Sequence, residues 1–338
     1  MFRAIYHSDF KDRKWVEEQI ERWNAGQSSF MLKTSGTTGK PKEISLSREL
    51  LIWSANATKA SLHLGQEKVI CCIPVQKTGG FMQLIRALHF GWEIYFVSPK
   101  SNPFEGEETS EYSFTSFTPM QLDVVLNENP ESLVSFKNIL VGGAKIGADL
   151  LQKIQKWNDS SRNTTIWETY GMTETASHIA LKNLTKNEAY FKTQEGVKVN
   201  SKEDRLGIEI KELNLNLDTN DLAELHEDGF AILGRRDNVI NSGGIKIHPE
   251  SIEPQIADIL ESIRIYRPFY LSSIPDKLLG EKLILILEGT PITDAGFILE
   301  ILKRELPAYT NPKEMFFVKK IETTDTGKLK RKRLSEYS

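Results

Sequence analysis

A chain of 338 residues with 39% hydrophobic and 26% charged residues is long enough for one large and one small domain with a substantial core. Its formal net charge of −3 offers no global attraction to nucleic acid or to an anionic membrane, and no apolar run approaches the ~18 residues of a membrane span. The start, Met1 to Phe10, lacks the apolar stretch of a secretion signal, and the only cysteines, Cys71 and Cys72, are adjacent in an apolar run; this argues against a disulfide framework or cysteine metal site and for a reducing, cytoplasmic home.

In chain order, Val16, Ile20 and Trp23 at i, i+4 and i+7 predict an amphipathic helix over residues 11–24. An apolar run, Phe30-Met31-Leu32, leads into a polar loop. Beyond it the pattern predicts a helix over 47–64 with Ser47 as its N-cap. A strand over 69–75, carrying the two thiols as small buried groups, and a helix over 80–90 follow. Next come strands over 92–97 and 112–117, a helix over 120–127, a strand over 138–141, a helix over 147–157 and a strand over 164–169. Such alternation argues for an α/β sheet covered by helices. From about residue 196 to 233 the segments become shorter and strand-rich. A polar break at 234–238 precedes a new unit with a glycine turn, a helix opened by Pro249 and strands over 269–272 and 283–287, so the domains are expected at 1–236 and 237–338.

The polar loop is the most informative stretch: residues 33–42 read Lys-Thr-Ser-Gly-Thr-Thr-Gly-Lys-Pro-Lys. Gly36 and Gly39 permit close backbone approach. Ser35, Thr37 and Thr38 offer hydroxyls, exposed backbone N–H groups form an anion nest, and Lys40 and Lys42 bring charge. It is not a Walker A loop, because two residues separate the glycines and Pro41 follows Lys40. A polyphosphate clamp and a solvated turn both fit it in isolation.

Further candidates lie downstream. After the 164–169 strand, Tyr170 could stack on a base, Thr173 reach a phosphate, and Glu174 hold Mg²⁺; taken alone, Glu174 suits a helix N-terminal charge as well. Asp221 could accept both hydroxyls of a ribose that Arg235 braces, or the two could be a turn acid and a surface base. Gly243 and Gly244 leave room for a chain or narrow ligand beside the backbone, or simply turn a hairpin. Lys328 sits in a tail, residues 313–333, with eight Lys/Arg against three Asp/Glu; the basic stretch is too short, and the chain too neutral, for a nucleic-acid site.

Together and in this order, these motifs resemble those of the AMP-forming acyl/aryl-CoA synthetase family, over residues 30–334. The resemblance implies an α/β fold: a large adenylate-forming N-terminal domain and a small, mobile α+β C-terminal domain. It implies that Thr34, Ser35, Gly36, Thr37, Thr38, Gly39 and Lys42 hold the phosphates of ATP. Gly142, Gly143 and Ala144 would line the adenine pocket, with Tyr170 and Gly171 beside the base, and Asp221 and Arg235 would hold the ribose. Thr173 and Glu174 would act at the phosphates, with Glu174 as the Mg²⁺ ligand. Asp237 would be the hinge, Gly243 and Gly244 would flank the tunnel for the pantetheine arm of coenzyme A, and Lys328 would be the catalytic lysine. Members attack the α-phosphate of ATP with a carboxylate, then displace AMP with a thiol.

Residues 168–180 and 237–247 resemble, within that family, a subgroup of o-succinylbenzoate–CoA ligases of menaquinone biosynthesis, here in a short form. Another aryl- or acyl-CoA ligase, an adenylation enzyme that loads a carrier protein, and a non-catalytic nucleotide-binding module are the other readings. The phosphate loop begins near residue 34, so the family's first subdomain is expected to be missing. Part of the acyl-pocket wall would then fall to a second copy of the chain, as a homodimer, or to solvent. Residues 74–80 stand where the family has its acyl-pocket motif. Lys77, beside Gly79, could pair with a second carboxylate of the acid or be a solvated loop lysine. His178 could face the same pocket or be a structural histidine.

Overall fold

The computed structural model describes residues 1–33, 42–158, 163–202, 204–323, 329–332 and 334. The first part of the chain runs through β1 (Arg3–Tyr6), α1 (Arg13–Asn24), β2 (Ser29–Lys33), β3 (Glu43–Ser47), α2 (Arg48–Ser61), β4 (Lys68–Cys71) and α3 (Thr78–Phe90). It continues through β5 (Glu93–Phe96), β6 (Phe114–Phe117), α4 (Pro119–Glu128), β7 (Asn138–Val141), α5 (Ala148–Trp157), β8 (Thr165–Gly171), β9 (His178–Asn183) and β10 (Lys192–Thr193).

Eight of these strands form one sheet in the order β1-β5-β4-β6-β7-β8-β9-β10. The pairs from β1 to β8 are parallel, and β9 and β10 close the edge antiparallel. Both faces of the parallel part are covered, as right-handed crossovers require. Val69, Cys71, Ile94 and Leu140 face Val16 of α1 and Leu84 and Ala87 of α3. Ile70, Cys72, Ile139, Val141 and Ile166 face Leu122 and Val125 of α4 and Leu150 and Ile154 of α5. The period-2 alternation of the strands is therefore visible in which neighbour goes to which core.

A second, antiparallel sheet follows, β11 (Val197–Lys202), β12 (Arg205–Ile210), β13 (Leu215–His226) and β14 (Gly229–Arg235), paired in chain order. Its Leu206, Ile208, Ile210 and Phe230 share a core with the β2–β3 hairpin, α2, and Phe81, Met82 and Ile85 of α3. The carboxyl-terminal part comprises β15 (Ile240–Ser242), β16 (Ile245–Ile247), α6 (Pro249–Ser262), β17 (Phe269–Asp276), β18 (Gly280–Glu288), α7 (Ala295–Glu305) and β19 (Glu314–Val318). Its sheet runs β16-β15-β18-β17 with β19 parallel to β18, around its own core of Ile240, Ile256, Leu260, Leu285 and Leu302.

Most helices fall where the periodicity predicts them. Ser47 caps α2 by accepting from the Leu50 N–H at 3.1 Å. Both cysteines are free and buried; burial pushes the Cys72 thiol up to about 12 and raises that of Cys71 as well, so neither is poised as a nucleophile. Three differences matter. The strand expected over 69–75 stops at Cys71, because Pro74 cannot donate to a ladder and the chain turns there. Helix α3 begins at Thr78 rather than residue 80, with two glycines in its first turn. Strands β1, β3 and β9 were not expected: β1 is a four-residue strand at a sheet edge, β3 directly abuts a helix, and β9 is buried along most of its length, with too little polar alternation to betray it.

The glycine at position 80 is a steric requirement. A Cβ there would overlap the Pro74 carbonyl and lie 2.7 Å from the Val75 Cα. Gly80→Ala is therefore expected to cost about 1–3 kcal/mol, the usual cost of overpacking, seen as a lower midpoint in urea. Gly296→Ala, in α7 with nothing within 4 Å, is expected to stabilise by up to ~1 kcal/mol through helix propensity.

Candidate functional site

The parallel register brings the carboxyl ends of β4, β6, β7 and β8 to one edge of the main sheet, where α/β folds bind ligands. A cavity of about 240 Å³ opens there. Its wall comes from Ile73 and Pro74 after β4, Ser116 to Thr118 at the end of β6, Gly142 and Gly143 after β7, and Gly171 to Thr173 after β8. Helix α3 supplies Thr78, Gly79, Gly80 and Arg86, and the end of β2 supplies Lys33. Thr118 is at once cavity wall and N-cap of α4, locked with Gln121 in a reciprocal capping box. The lining contains three cations, Lys33, Lys77 and Arg86, and no Asp or Glu among the described residues.

Arg86 lies on α3, whose residues 80–87 are all buried, and is 2% exposed. Its Nη2 donates to Ser177 Oγ at 2.8 Å, its Nε has no hydrogen-bond partner, and no carboxylate pairs with it among the described residues. Burial pulls the guanidinium down to about 9, so it is still a cation at neutral pH. His178 opens β9 and is 5% exposed, with Ser177 Oγ 3.2 Å from Nδ1 and Thr58 Oγ1 3.3 Å from Nε2. Burial first, then the positive charge of Arg86, holds His178 well below the usual imidazole range, so the ring is neutral. The β8–β9 turn that brings these residues in needs Gly171, where a Cβ would overlap the Ser177 carbonyl and the His178 Cα.

A second constellation adjoins the cavity through β8. Tyr170 donates its hydroxyl to Asp221 Oδ2 at 2.7 Å, and Arg235 Nη1 lies 3.3 Å from Asp221 Oδ1. Asp221 and Arg235 are direct cross-strand partners on β13 and β14, so the sheet register makes this pair. Burial and the Asp221 charge raise the Tyr170 phenol, which keeps it a donor. The Tyr170 ring stands edge-on to Phe230, with centroids 5.4 Å apart. Arg235 Nη2 also reaches Asp237 Oδ2 at 3.6 Å, which links this cluster to the segment between the second and third sheets.

Of the residues singled out in the sequence, Lys77, Gly79, Gly142, Gly143, Gly171, Thr173 and His178 line the cavity. Thr173 Oγ1 lies 2.9 Å from Thr78 Oγ1. Ala144 follows the two glycines after β7, outside the lining. Glu174 is exposed, in the short turn after β8, with no ion pair to another described residue. Tyr170, Asp221, Arg235 and Asp237 form the adjoining cluster. Gly243 and Gly244 have φ of 60° and 82° and make the two-residue turn between β15 and β16, away from the cavity lining. Lys42 is exposed immediately before β3. Thr34, Ser35, Gly36, Thr37, Thr38, Gly39 and Lys328 lie outside the described residues, but their flanks do not. Lys33, which lines the cavity, pairs with Glu43 across the antiparallel β2–β3 ladder. Arg86 and Thr58 escape a reading by motif, and Thr78 and Ser177 enter only as unremarked members of the 74–80 and 168–180 stretches; the available signal was an arginine inside an otherwise uncharged helix, Thr78–Phe90.

The donor set fits a Mg²⁺–nucleotide. Mg²⁺ typically takes one or two carboxylates and fills its remaining positions with phosphate oxygens and water, as exposed Glu174 permits. Asp221 offers two oxygens of a carboxylate already fixed by Tyr170 and Arg235.

Comparison with known proteins agrees. The model of the AMP-binding enzyme family matches residues 3–202. The chain belongs to the AMP-binding enzyme family. It is 33% identical to an AMP-forming acyl-CoA synthetase/AMP-acid ligase II-like protein from Dyadobacter fermentans, with a TM-score of 0.60 over 93% of this chain and 91% of that one. It is 24% identical to a 2-succinylbenzoate–CoA ligase of Listeria monocytogenes, over 98% of this chain and 75% of that protein. The o-succinylbenzoate coenzyme A synthetase of Bacillus subtilis, in complex with ATP and magnesium, superposes with a TM-score of 0.77 at 22% identity, over 90% of this chain and 69% of that one. No helix among the described residues is long and apolar enough to cross a membrane.

The Tyr170–Asp221–Arg235 cluster carries a prediction. A hydrogen bond to a charged group is worth about 1.5–3 kcal/mol, so Asp221→Ala is expected to raise the Kd for AMP about tenfold or more by calorimetry. Asp218→Ala, exposed on the same strand, leaves it unchanged. Equal Kd values for the two variants would remove Asp221 from the site.

Proposed function

We propose that the chain is an ATP-dependent acid–thiol ligase that converts a carboxylic acid to its acyl-adenylate and then to the coenzyme A thioester. The acid we infer is o-succinylbenzoate, which carries two carboxylates. The observation that carries this reading is the cavity at the carboxyl edge of the sheet, lined by Lys33, Lys77 and Arg86 and by no acid among the described residues. Three cations around about 240 Å³ favour an anionic ligand, and the apolar part of the wall, Ile73, Phe117, Leu140 and Met172, suits an aromatic ring. The relatives named 2-succinylbenzoate–CoA ligase support the choice of acid.

In this reading, Tyr170, Asp221 and Arg235 hold the nucleoside, while Gly142 and Gly143 leave room for the base. Residues 34–42, strung between β2 and β3, embrace the phosphates. Thr173, steadied by Thr78, donates to a phosphate oxygen. Mg²⁺, when bound at Glu174, supplies charge neutralisation at the phosphates. Lys328 bridges the carboxylate and the α-phosphate, whose repulsion is the main barrier to their approach. A carboxylate oxygen then bonds to the α-phosphorus as the bond to pyrophosphate breaks. After the small domain turns about Asp237, the thiol sulfur of coenzyme A, led in past Gly243 and Gly244, bonds to the acyl carbon as AMP departs. The second carboxylate rests against Arg86 within the cavity and Lys77 at the start of α3.

Pyrophosphate release with o-succinylbenzoate, ATP, Mg²⁺ and coenzyme A is expected to exceed that with other aryl acids. Turnover with a carrier protein in place of coenzyme A would redirect the reading to a loading enzyme, and ATP binding without turnover of any acid would leave a nucleotide-binding module. Lys328→Ala is expected to abolish adenylation and spare thioester formation from preformed acyl-adenylate; equal loss of both contradicts its assigned role. Lys77→Ala is expected to raise the KM for o-succinylbenzoate about fivefold, in keeping with the ~1 kcal/mol of a partly exposed ion pair. An unchanged KM removes Lys77 from the acid site.

A further inference from the structure

Hydrogen-bond bookkeeping around Arg86 fixes a direction for every proton in a buried chain. Arg86 Nη2 can only donate, so Ser177 Oγ accepts at 2.8 Å. The one Thr58 hydroxyl proton goes to the Ser54 carbonyl at 2.9 Å, one turn back in α2. His178 Nε2, 3.3 Å from Thr58 Oγ1, must therefore carry the proton and donate to that oxygen. Nδ1 is then bare, and it accepts the Ser177 hydroxyl proton across 3.2 Å. The sequence Arg86 → Ser177 → His178 → Thr58 → Ser54 carbonyl is complete, spends each donor once and, with the Thr58 proton on the shorter of its two contacts, puts the imidazole proton on Nε2.

We propose that His178 is a positioning residue. As the neutral Nε2–H tautomer it fixes the Ser177 hydroxyl and, through it, turns the Arg86 guanidinium so that its remaining N–H groups are offered to an anionic group of the acid, which sets the preference for a dicarboxylate. The inference rests on the reading of the cavity as the acid site. The chain runs through two helices and the β8–β9 hairpin: α3 carries Arg86, α2 carries Thr58, and Ser177 and His178 lie where the hairpin returns. The orientation of the cation is thereby set by tertiary structure and not by Arg86 rotamers alone. Without the Nδ1 acceptor, the Ser177 hydroxyl is free to rotate and Arg86 loses its only fixed partner among the described residues.

The test compares o-succinylbenzoate with 4-oxo-4-phenylbutyrate, the same skeleton without the ring carboxylate, by pyrophosphate release. Ser177→Ala and His178→Phe are expected to raise the KM for the dicarboxylate about tenfold, with the KM for ATP and for the monocarboxylate changed less than twofold. His178→Asn places an amide oxygen near the position of Nδ1 and is expected to restore most of the preference; His178→Gln extends an amide toward Thr58 instead and is expected not to. Equal behaviour of Asn and Gln, or parallel rises for both acids, overturns the proposal and points to mere space filling. Turnover of neither acid by the wild-type chain defeats the reading of the acid site, and a second measurement then decides the chain itself. Long-range ¹H–¹⁵N correlation at pH 7 should find His178 protonated at Nε2 alone, and that pattern should be lost from the Ser177-linked Nδ1 shift in Ser177→Ala. An Nδ1–H tautomer or an imidazolium overturns it.

Discussion

The parallel register of β4, β6, β7 and β8 is the constraint on which the site depends. Cys71 pairs with Ser116, Ser116 with Leu140, and Val141 with Glu168. Residues far apart in sequence thus end at one edge, and the turns that leave that edge, Ile73–Lys77, Thr118, Gly142–Gly143 and Gly171–Thr173, have no alternative but to enclose a common space. The backbone there is lean by necessity. Gly80 and Gly171 sit where another main-chain segment already fills the volume of a Cβ, so the wall of the cavity is packed backbone against backbone.

Charge then gives that space its chemistry. An arginine 2% exposed without a carboxylate partner among the described residues is costly in the free protein, since a buried charge pays for desolvation that only a partner returns. A bound anion repays it. The same logic separates two acids near the site: Asp221 is already held by Tyr170 and Arg235, with its acceptors in a fixed place, whereas Glu174 is exposed with no ion pair to another described residue. The adjoining Arg235–Asp237 contact ties the Tyr170–Asp221–Arg235 cluster to the segment joining the second and third sheets.

Much of this was legible in the sequence, and the reasons are local. Tyr170, Thr173, Asp221, Arg235 and the paired glycines belong to short motifs whose residue types carry their chemistry with them. Helices α1, α2, α4 and α5 declare themselves by apolar spacing. The Tyr170–Asp221 bond was not legible, because it joins β8 to β13 across fifty-one residues. Arg86 was hidden for a related reason: inside Phe81-Met82-Gln83-Leu84-Ile85-Arg86-Ala87 it reads as the polar face of an amphipathic helix, and only the second core, packed on what should be that helix's outer side, makes it interior. Ser177 and His178 looked like the tail of a motif and proved to be the first turn and first residue of a strand. The expected acyl-site lysine, Lys77, does line the cavity, but at the helix start and not in its buried depth.

The central claim is that a carboxylate of the acid attacks the α-phosphorus of ATP in this cavity. It is tested most directly by following oxygen. With o-succinylbenzoate labelled with ¹⁸O in the succinyl carboxylate, a full turnover with ATP and coenzyme A should deliver one labelled oxygen to the phosphate of AMP and none to pyrophosphate, as read by mass spectrometry. Unlabelled AMP, or label in a phosphate released from the γ position, would contradict the account.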